Sequence, residues 1–428
     1  MKNNLAILNF WHTNNYGGIL TCYALQETLS KLGFNSCVLN YQSWKGGLSE
    51  KFAKFNLNIT TELNSYYDLV SLNDTVDTFI VGSDQVWRYI YAWPLGKTIY
   101  QLDFAAPTAK KISCAASFGQ DYFEGPPYSI ARIKYYLQKF DHISVREDSG
   151  IDICRDVFDV DATHILDPVF YLEPSDYDTL IKKSKIKDQN FIASYILDSS
   201  KGKDIFINSC KQYLNINKSI VLQNAQIVKY PEYSVEDWLY AIKNCNFFIT
   251  DSFHGVCFAL IFNKPFFCIT NIERGSARFS SLINTFKINK FFRDTSNLDI
   301  SIIKDIDYIY EFDIINKIID KEKHKSIKWL SNAIMSQKKD ISTDASSQDE
   351  ITNYIIHKID DIEFGITQTK KDIYHIIISP KYILKYIIFG ILCILTFFKI
   401  KKIKIKYEDA KHSIKKLYTI IGFYKRQY

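Results

Sequence analysis

Residues 247–257, Phe-Phe-Ile-Thr-Asp-Ser-Phe-His-Gly-Val-Cys, join an apolar, β-prone run to a polar turn that presents His254. Phe247–Thr250 reads as a buried strand, Asp251 and Ser252 are good helix N-caps, and Val256–Phe262 reads as the helix they start. His254 is therefore expected at a strand's carboxyl end and in a helix's first turn. In open α/β sheets that crevice holds ligands, and the unpaired N–H groups of the helix favour an anion. An imidazole beside an anion site is what acid–base chemistry on a phosphorylated substrate needs. A hydrogen-bonded structural histidine fits the same position. What favours chemistry is the bunching of Asp251, Ser252 and His254 at one strand end, next to a glycine, Gly255, that lets backbone approach a ligand.

Other strand ends repeat the pattern. Asp77–Val81 runs into Gly82-Ser83-Asp84-Gln85-Val86-Trp87, where Asp84 and Gln85 could hold substrate hydroxyls and Trp87 could form an apolar platform for a sugar face. The alternative is an N-capped helix with Trp87 in the core. Ile112–Ala116 leads to Ser117-Phe118-Gly119, and Asp141–Val145 leads to Arg146-Glu147-Asp148-Ser149-Gly150, whose adjacent opposite charges also suit an internal ion pair. Asn15-Tyr16-Gly17-Gly18 offers backbone amides, but a short glycine pair also fits a plain tight turn.

The elements that must position these residues alternate. Leu5–Phe10 reads as a strand, Trp11–Gly18 as a glycine-containing loop, Leu20–Leu32 as a helix stopped by Gly33, and Ser36–Asn40 as the next strand. After the crossover Tyr171–Asp188 a second α/β set follows: strands at Phe191–Ile196, Ser219–Gln223, Phe247–Thr250 and Pro265–Thr270, helices at Asp204–Leu214 and Ser234–Asn244. The expected fold is α/β, with two Rossmann-like doubly wound domains, 1–175 and 176–335, facing a cleft. Such a cleft gathers Asp84, Ser117, Arg146 and His254 at one site.

A chain of 428 residues exceeds what one core usually organises, so two domains are the prior. Its nine cysteines are odd in number, contain no Cys-x-x-Cys pair and sit mostly in hydrophobic runs, which points to buried reduced thiols rather than disulfides or zinc. Met1-Lys2-Asn3-Asn4 leads straight into the first strand, too short an apolar run for a secretory signal, so a cytoplasmic body is expected. The net charge of +6 hides a division: residues 381–428 hold twelve Lys/Arg against two acids, leaving 1–380 at −4. A mildly acidic body argues against nucleic acid as a partner.

Residues 336–350 have linker composition, and 351–428 read as a helical, basic and apolar tail. Its uninterrupted apolar core, Tyr386–Phe398, is shorter than the roughly 20 residues that span a bilayer. With five lysines between Lys399 and Lys406, it suits an interfacial anchor on an anionic membrane surface, the alternative being a helix that docks on protein.

Gly82-Ser83-Asp84-Gln85-Val86-Trp87, Ser144-Val145-Arg146-Glu147, Asp167-Pro168-Val169-Phe170, Thr250-Asp251-Ser252-Phe253-His254-Gly255 and Arg278-Phe279-Ser280-Ser281-Leu282 occur in this order and, together, resemble the polysaccharide pyruvyl transferase family over roughly residues 1–335. The resemblance implies a glycosyltransferase-B-like pair of domains. It implies transfer of the pyruvyl group of phosphoenolpyruvate to a sugar of a surface or capsular polysaccharide repeat unit, as a cyclic ketal. Phosphoenolpyruvate is then the donor substrate, with no cofactor and no metal. His254 takes the place of the family's catalytic histidine. Some members precede it with Arg-Leu where this chain has Ser252-Phe253, so Arg274 and Arg278 are candidates to supply the missing arginine; a solvated basic loop is the alternative. Donor binding is expected of Arg278, Arg274, Arg146 and Ser252, and acceptor or cleft contacts of Asp84, Gln85, Trp87, Ser117 and Asp251. The acceptor is expected to be lipid-linked at the inner face of the plasma membrane.

Two rivals share parts of the pattern. A glycosyltransferase of the same fold using a nucleotide-sugar donor usually carries carboxylates after the equivalent strand, and residues 254–265 contain no Asp or Glu. A non-catalytic scaffold in polysaccharide assembly has no need of an intact His254 among polar strand ends.

Overall fold

Eleven parallel strands form two sheets in the computed structural model, which describes residues 4–12, 15–41, 47–92, 98–223, 233–270, 276–294, 298 and 312–339. The first sheet contains β1 Asn4–Leu8, β2 Asn35–Val38, β3 Thr78–Val81, β4 Lys110–Ala116, β5 His142–Val145 and β6 Thr163–His164, in the order β2-β1-β3-β4-β5-β6. The second contains β7 Ile192–Tyr195, β8 Ser219–Leu222, β9 Phe247–Thr250, β10 Phe266–Thr270 and β11 Phe292–Asp294, in the order β11-β10-β9-β7-β8. Each sheet therefore reverses direction once, between β1 and β3 in the first and between β7 and β9 in the second. Ligand crevices in doubly wound folds lie at such switch points. Asp84 follows β3 and His254 follows β9, so each stands at the switch point of its own sheet.

The α-helices among the described residues are α1 Tyr16–Lys31, α2 Leu48–Asn56, α3 Tyr66–Ser71, α4 Tyr89–Ala92, α5 Pro127–Leu137, α6 Ser149–Asp156, α7 Asp178–Ile181, α8 Lys201–Tyr213, α9 Val235–Asn244, α10 Phe253–Ile261, α11 Ser276–Phe286 and α12 Phe312–Met335. The α/β class and the two Rossmann-like domains are as the alternating pattern predicts. β3 and β9 are buried at every residue, as strands covered on both faces must be.

One local expectation fails in an informative way. The last three residues of the Trp11–Gly18 segment read as a loop, Tyr16–Gly18, are instead in the first turn of α1, which starts at Tyr16 rather than Leu20. Asn15, in extended conformation, caps it by accepting hydrogen bonds from the N–H groups of Gly17 at 2.9 Å and Gly18 at 3.4 Å. Gly17 sits where a tertiary neighbour, His254, leaves no space for a side chain.

A continuous apolar core joins the two halves. Tyr16 of α1 stacks on Trp238 of α9, with centroids 5.5 Å apart and planes 12° from parallel, and its hydroxyl donates to the Tyr233 carbonyl at 2.8 Å. Such a pair contributes about 0.5–1.5 kcal/mol beyond its area. The two halves are packed along this seam, and the carboxyl ends of both sheets are drawn together near it.

Helix α12 follows the second sheet in sequence but is fastened to the first half. Lys110 Nζ, on β4, donates to the carbonyls of Ile334 at 2.6 Å and of Ser336, satisfying the last turn of α12. The Ser326 hydroxyl accepts from Leu166 N–H at 3.0 Å, and Lys339 N–H donates to Asp141 at 2.7 Å. The segment read as a solvated linker from Ser336 onward therefore begins with residues pinned to the body. The rest of it, Arg274 and the whole 351–428 tail lie outside the described residues. All eight described cysteines are free thiols, seven buried and Cys37 half-buried. Among the described residues, no helix is long and apolar enough to cross a membrane.

Candidate active site

His254 is placed by the turn between β9 and α10. Ser252, in extended conformation, caps α10 by accepting from Gly255 N–H at 3.3 Å. Gly255 has a packing reason: a Cβ there would lie 2.5 Å from Thr250 Oγ1, so only glycine lets the helix start this close to its own strand. The imidazole is 5% exposed. Its Nε2 lies 3.0 Å from Thr21 Oγ1 and 3.5 Å from Asp167 Oδ2. Thr21, on α1, donates in turn to Asp167 Oδ1 at 3.4 Å. The chain of donors therefore runs from His254 Nε2–H to Thr21 and on to Asp167, which leaves Nδ1 as the nitrogen able to exchange a proton with a substrate. Nδ1 faces Gly17, and a Cβ at residue 17 would come within 2.0 Å of it.

Asp167 is the hub. Its Oδ2 receives Arg146 Nη1 at 2.6 Å and the Ser83 hydroxyl at 3.0 Å, while its Oδ1 also accepts from Val169 N–H at 3.1 Å. Arg146 Nη2 reaches Asp84 Oδ1 at 3.2 Å. Residues following β3, β5, β6 and β9 thus meet in one buried network, with Arg146 only 4% exposed. Asp84 sits at φ +69°, a left-handed backbone that turns its carboxylate back across the strand ends.

Burial alone would lift the Asp167 carboxyl, but the contact with His254 and the guanidinium of Arg146 outweigh it and hold Asp167 well below the usual carboxylate range. Asp84 is depressed in the same way: burial raises it, and Arg146, then His254 and Arg278, pull it down further. Arg146 centres 4.4 Å from the Phe253 ring and Arg278, on α11, 5.5 Å from it, so two guanidinium groups converge on the residue before His254. Burial, and then the like charge of Arg146, bring Arg278 down to about 10, which leaves it a cation at neutral pH.

Several expected residues are engaged elsewhere. Trp87, read as a sugar platform, is core: it is 2% exposed, donates to the Tyr100 carbonyl at 2.9 Å and packs on Phe118 and Phe140. Gln85 accepts from Arg88 Nη1 at 3.2 Å. Ser117 donates to Glu147 Oε1 at 3.0 Å, and the same oxygen accepts from the N–H groups of Phe118 and Gly119. Glu147 therefore ties down the turn after β4, while Arg146 pairs with Asp84 and Asp167 instead of its sequence neighbour. Asp251 accepts from Leu197 N–H at 2.6 Å, Asp198 N–H at 3.1 Å and Lys203 Nζ at 2.7 Å, which locks the β7–α8 turn to β9. Ser252 is occupied as a cap.

Sequence reasoning missed Thr21, singled out Ser83 and Asp167 only within motifs, and read Gly17 only as a source of backbone amides or a tight turn. Asp167-Pro168 was the available signal, since a carboxylate capping a proline-initiated turn marks a fixed geometry. Thr21 has no such signal: it is one hydroxyl inside an apolar helix.

The model of the family described as polysaccharide pyruvyl transferase matches residues 15–273, a stretch that runs from the cap of α1 past His254 and includes Thr21, Asp84, Arg146 and Asp167. The chain belongs to the polysaccharide pyruvyl transferase family. That membership makes it a transferase of the pyruvyl transferase type; Arg278 lies just beyond the family match. No curated protein matches the sequence. Among solved structures, the UDP-GlcNAc 2-epimerase of Neisseria meningitidis bound to UDP-GlcNAc is similar at 9% identity, covering 78% of this chain and 100% of that one, with a TM-score of 0.50. A putative UDP-N-acetylglucosamine 2-epimerase of Listeria monocytogenes shares 11% identity over 79% of this chain and 99% of its own, at 0.48. A glycosyltransferase of Rickettsia africae shares 12% over 78% and 100%, at 0.44. At these identities the likeness to the Neisseria enzyme is one of fold, the glycosyltransferase-B-like pairing of two Rossmann-type domains.

Proposed function

We propose that this member of the family transfers the pyruvyl group of phosphoenolpyruvate to two hydroxyls of one sugar, as a cyclic ketal, with release of inorganic phosphate. The observation that carries the reading is the His254–Thr21–Asp167 chain, beside which Arg146 and Arg278 flank Phe253. In this reading His254, protonated at Nδ1, gives its proton to the methylene carbon of the enol and leaves an oxocarbenium-like carbon at the former double bond. One sugar hydroxyl attacks that carbon and its proton returns to Nδ1. The C–O bond to phosphate breaks, and the second hydroxyl closes the ring, its proton passing to the departing phosphate, which leaves as hydrogen phosphate. Asp167 supports the charged imidazole, and proton transfer of this kind contributes about 10²–10⁴-fold. Arg278 takes the donor's carboxylate or phosphate; Arg146, already held by two carboxylates, orients Asp167 and adds field.

The acceptor is read as a saccharide, lipid-linked at a membrane. What supports the membrane is the +10 charge of residues 381–428 beside an apolar run, against −4 for the remainder. Incubating the protein with phosphoenolpyruvate and a panel of nitrophenyl and lipid-linked sugars tests the reaction. Phosphate release together with the matching mass gain on the sugar supports it; transfer from a nucleotide sugar with no phosphate release from phosphoenolpyruvate overturns it.

A further inference from the structure

A second set of polar groups lies at the carboxyl ends of β1 and β2, and the network around His254 does not use it. Asn9 is 1% exposed and His12 3% exposed. Asn9 Oδ1, both ring nitrogens of His12 and Asn40 Oδ1 are buried with no hydrogen-bond partner among the described residues. The strand register brings the two asparagines to one sheet end. Ile7 pairs with Val38, so continuing the ladder by two residues sets Asn9 opposite Asn40. The Trp11 indole N–H, donating to the Leu39 carbonyl at 2.9 Å, folds the turn that carries His12 over the same end.

The chemistry of the set is specific. Asn9 Nδ2 donates to the Gly82 carbonyl at 3.2 Å, which assigns its Oδ1 as the atom left over. Gly82 stands two residues before Asp84, so the set adjoins the network around Asp167. Burial lowers His12 to about 4, so its ring is neutral at physiological pH and offers one donor and one acceptor. Acceptors therefore outnumber donors and no formal charge is present. Such a site repels an anion and suits a ligand that brings its own O–H donors. Phe10 and Tyr100, in edge contact at 4.5 Å, and the Trp11 ring add apolar surface beside it.

We propose that Asn9, His12 and Asn40 form a subsite for the hydroxyl groups of a neutral saccharide, distinct from the arginine-lined donor side. Naming that saccharide as the acceptor rests on the pyruvyl-transfer reading above; the binding itself does not.

The test measures binding of p-nitrophenyl glucoside, galactoside and mannoside, and separately of phosphoenolpyruvate, to the full chain and to His12→Phe and Asn40→Leu. Asn40 is the half-buried member and the safer substitution. The expected result is that at least one glycoside binds, that both variants weaken it tenfold or more, and that phosphoenolpyruvate affinity stays within about twofold with the thermal midpoint unchanged or raised, because apolar isosteres relieve unpaired buried groups. Unchanged glycoside affinity in both variants overturns the subsite, as does the absence of glycoside binding to the unmodified chain. Joint loss of both affinities with a lowered midpoint means a structural cluster and also overturns it. If glycoside binding behaves as expected while no phosphate is released from phosphoenolpyruvate, the subsite stands and the pyruvyl-transfer reading falls.

Discussion

Gly17 and His254 occupy adjoining space so closely that no side chain fits at residue 17: its Cβ would lie 2.0 Å from Nδ1 and 2.3 Å from Cγ of the imidazole. A residue in the first turn of α1, in the first half, thus sets the position of the ring delivered by α10 from the second. Gly17→Ala is expected to displace the ring, cost about 1–3 kcal/mol of stability by overpacking and lower kcat by at least a hundredfold. Steady-state phosphate release and a thermal melt check both parts; an alanine variant with near-normal kcat means that the ring is not held there during turnover.

His254→Ala is expected to remove turnover, by about 10²–10⁴-fold or more, while leaving the fold and most phosphoenolpyruvate binding intact. Asp167→Asn should behave differently. It strips the nearer of two charge partners from Arg146, a buried guanidinium 2.6 Å away that keeps Asp84, and the loss of stability should approach the roughly 3–5 kcal/mol of a broken buried pair. Comparing the denaturation midpoints of the two variants separates the roles: equal destabilisation would remove the distinction drawn here.

Arg278→Ala should raise the half-saturation concentration for phosphoenolpyruvate much more than that for the sugar, since a lost charge-assisted anion contact costs on the order of 2–4 kcal/mol. Initial-rate kinetics with each substrate varied in turn decide this, and parallel effects on both would assign Arg278 to structure. Arg274 carries the same expectation less directly.

Acid should destabilise the protein through Asp84 and Asp167. Both carboxyls are depressed below their unfolded value of 3.8, so their contribution is complete above that value and is lost as pH falls through the folded pKa values. Glu147 has the opposite sign. Burial raises it above 4.5, so its contribution is complete below that pH and is lost as pH rises through the folded value. Glu147→Gln keeps an oxygen for the three donors at Oε1. It should therefore raise the thermal midpoint at pH 8 and leave it unchanged at pH 4, and calorimetry at the two pH values checks the sign.

A chain ending at residue 350, past the pinned Ser336 and Lys339, should retain turnover on a short water-soluble sugar and lose binding to anionic vesicles. Flotation with anionic and neutral vesicles at low and high salt measures it. Salt-sensitive binding of the full chain alone is the expected outcome for an interfacial basic segment. Equal flotation of the two chains removes the membrane reading.

The strand–turn–helix around His254, the alternation of elements, the two domains and the arrival of Asp84, Arg146 and His254 at strand ends are all legible in the sequence. They depend on local rules: apolar period, N-caps, and the parallel topology that sends every strand's carboxyl end the same way. What the tertiary structure alone decides is which of those polar strand ends remain for chemistry. Ser117, Asp251 and Trp87 carry the same local signals as Asp84 and Arg146, yet their polar atoms are taken by Glu147, by Lys203 with the β7–α8 turn, and by the Tyr100 carbonyl. Nor do local rules reveal Thr21 and Gly17. A hydroxyl and a missing side chain on α1 acquire meaning only when the second domain brings His254 against them, because a hydrogen bond at 3.0 Å and a steric clash at 2.0 Å are properties of distance between elements far apart in the chain.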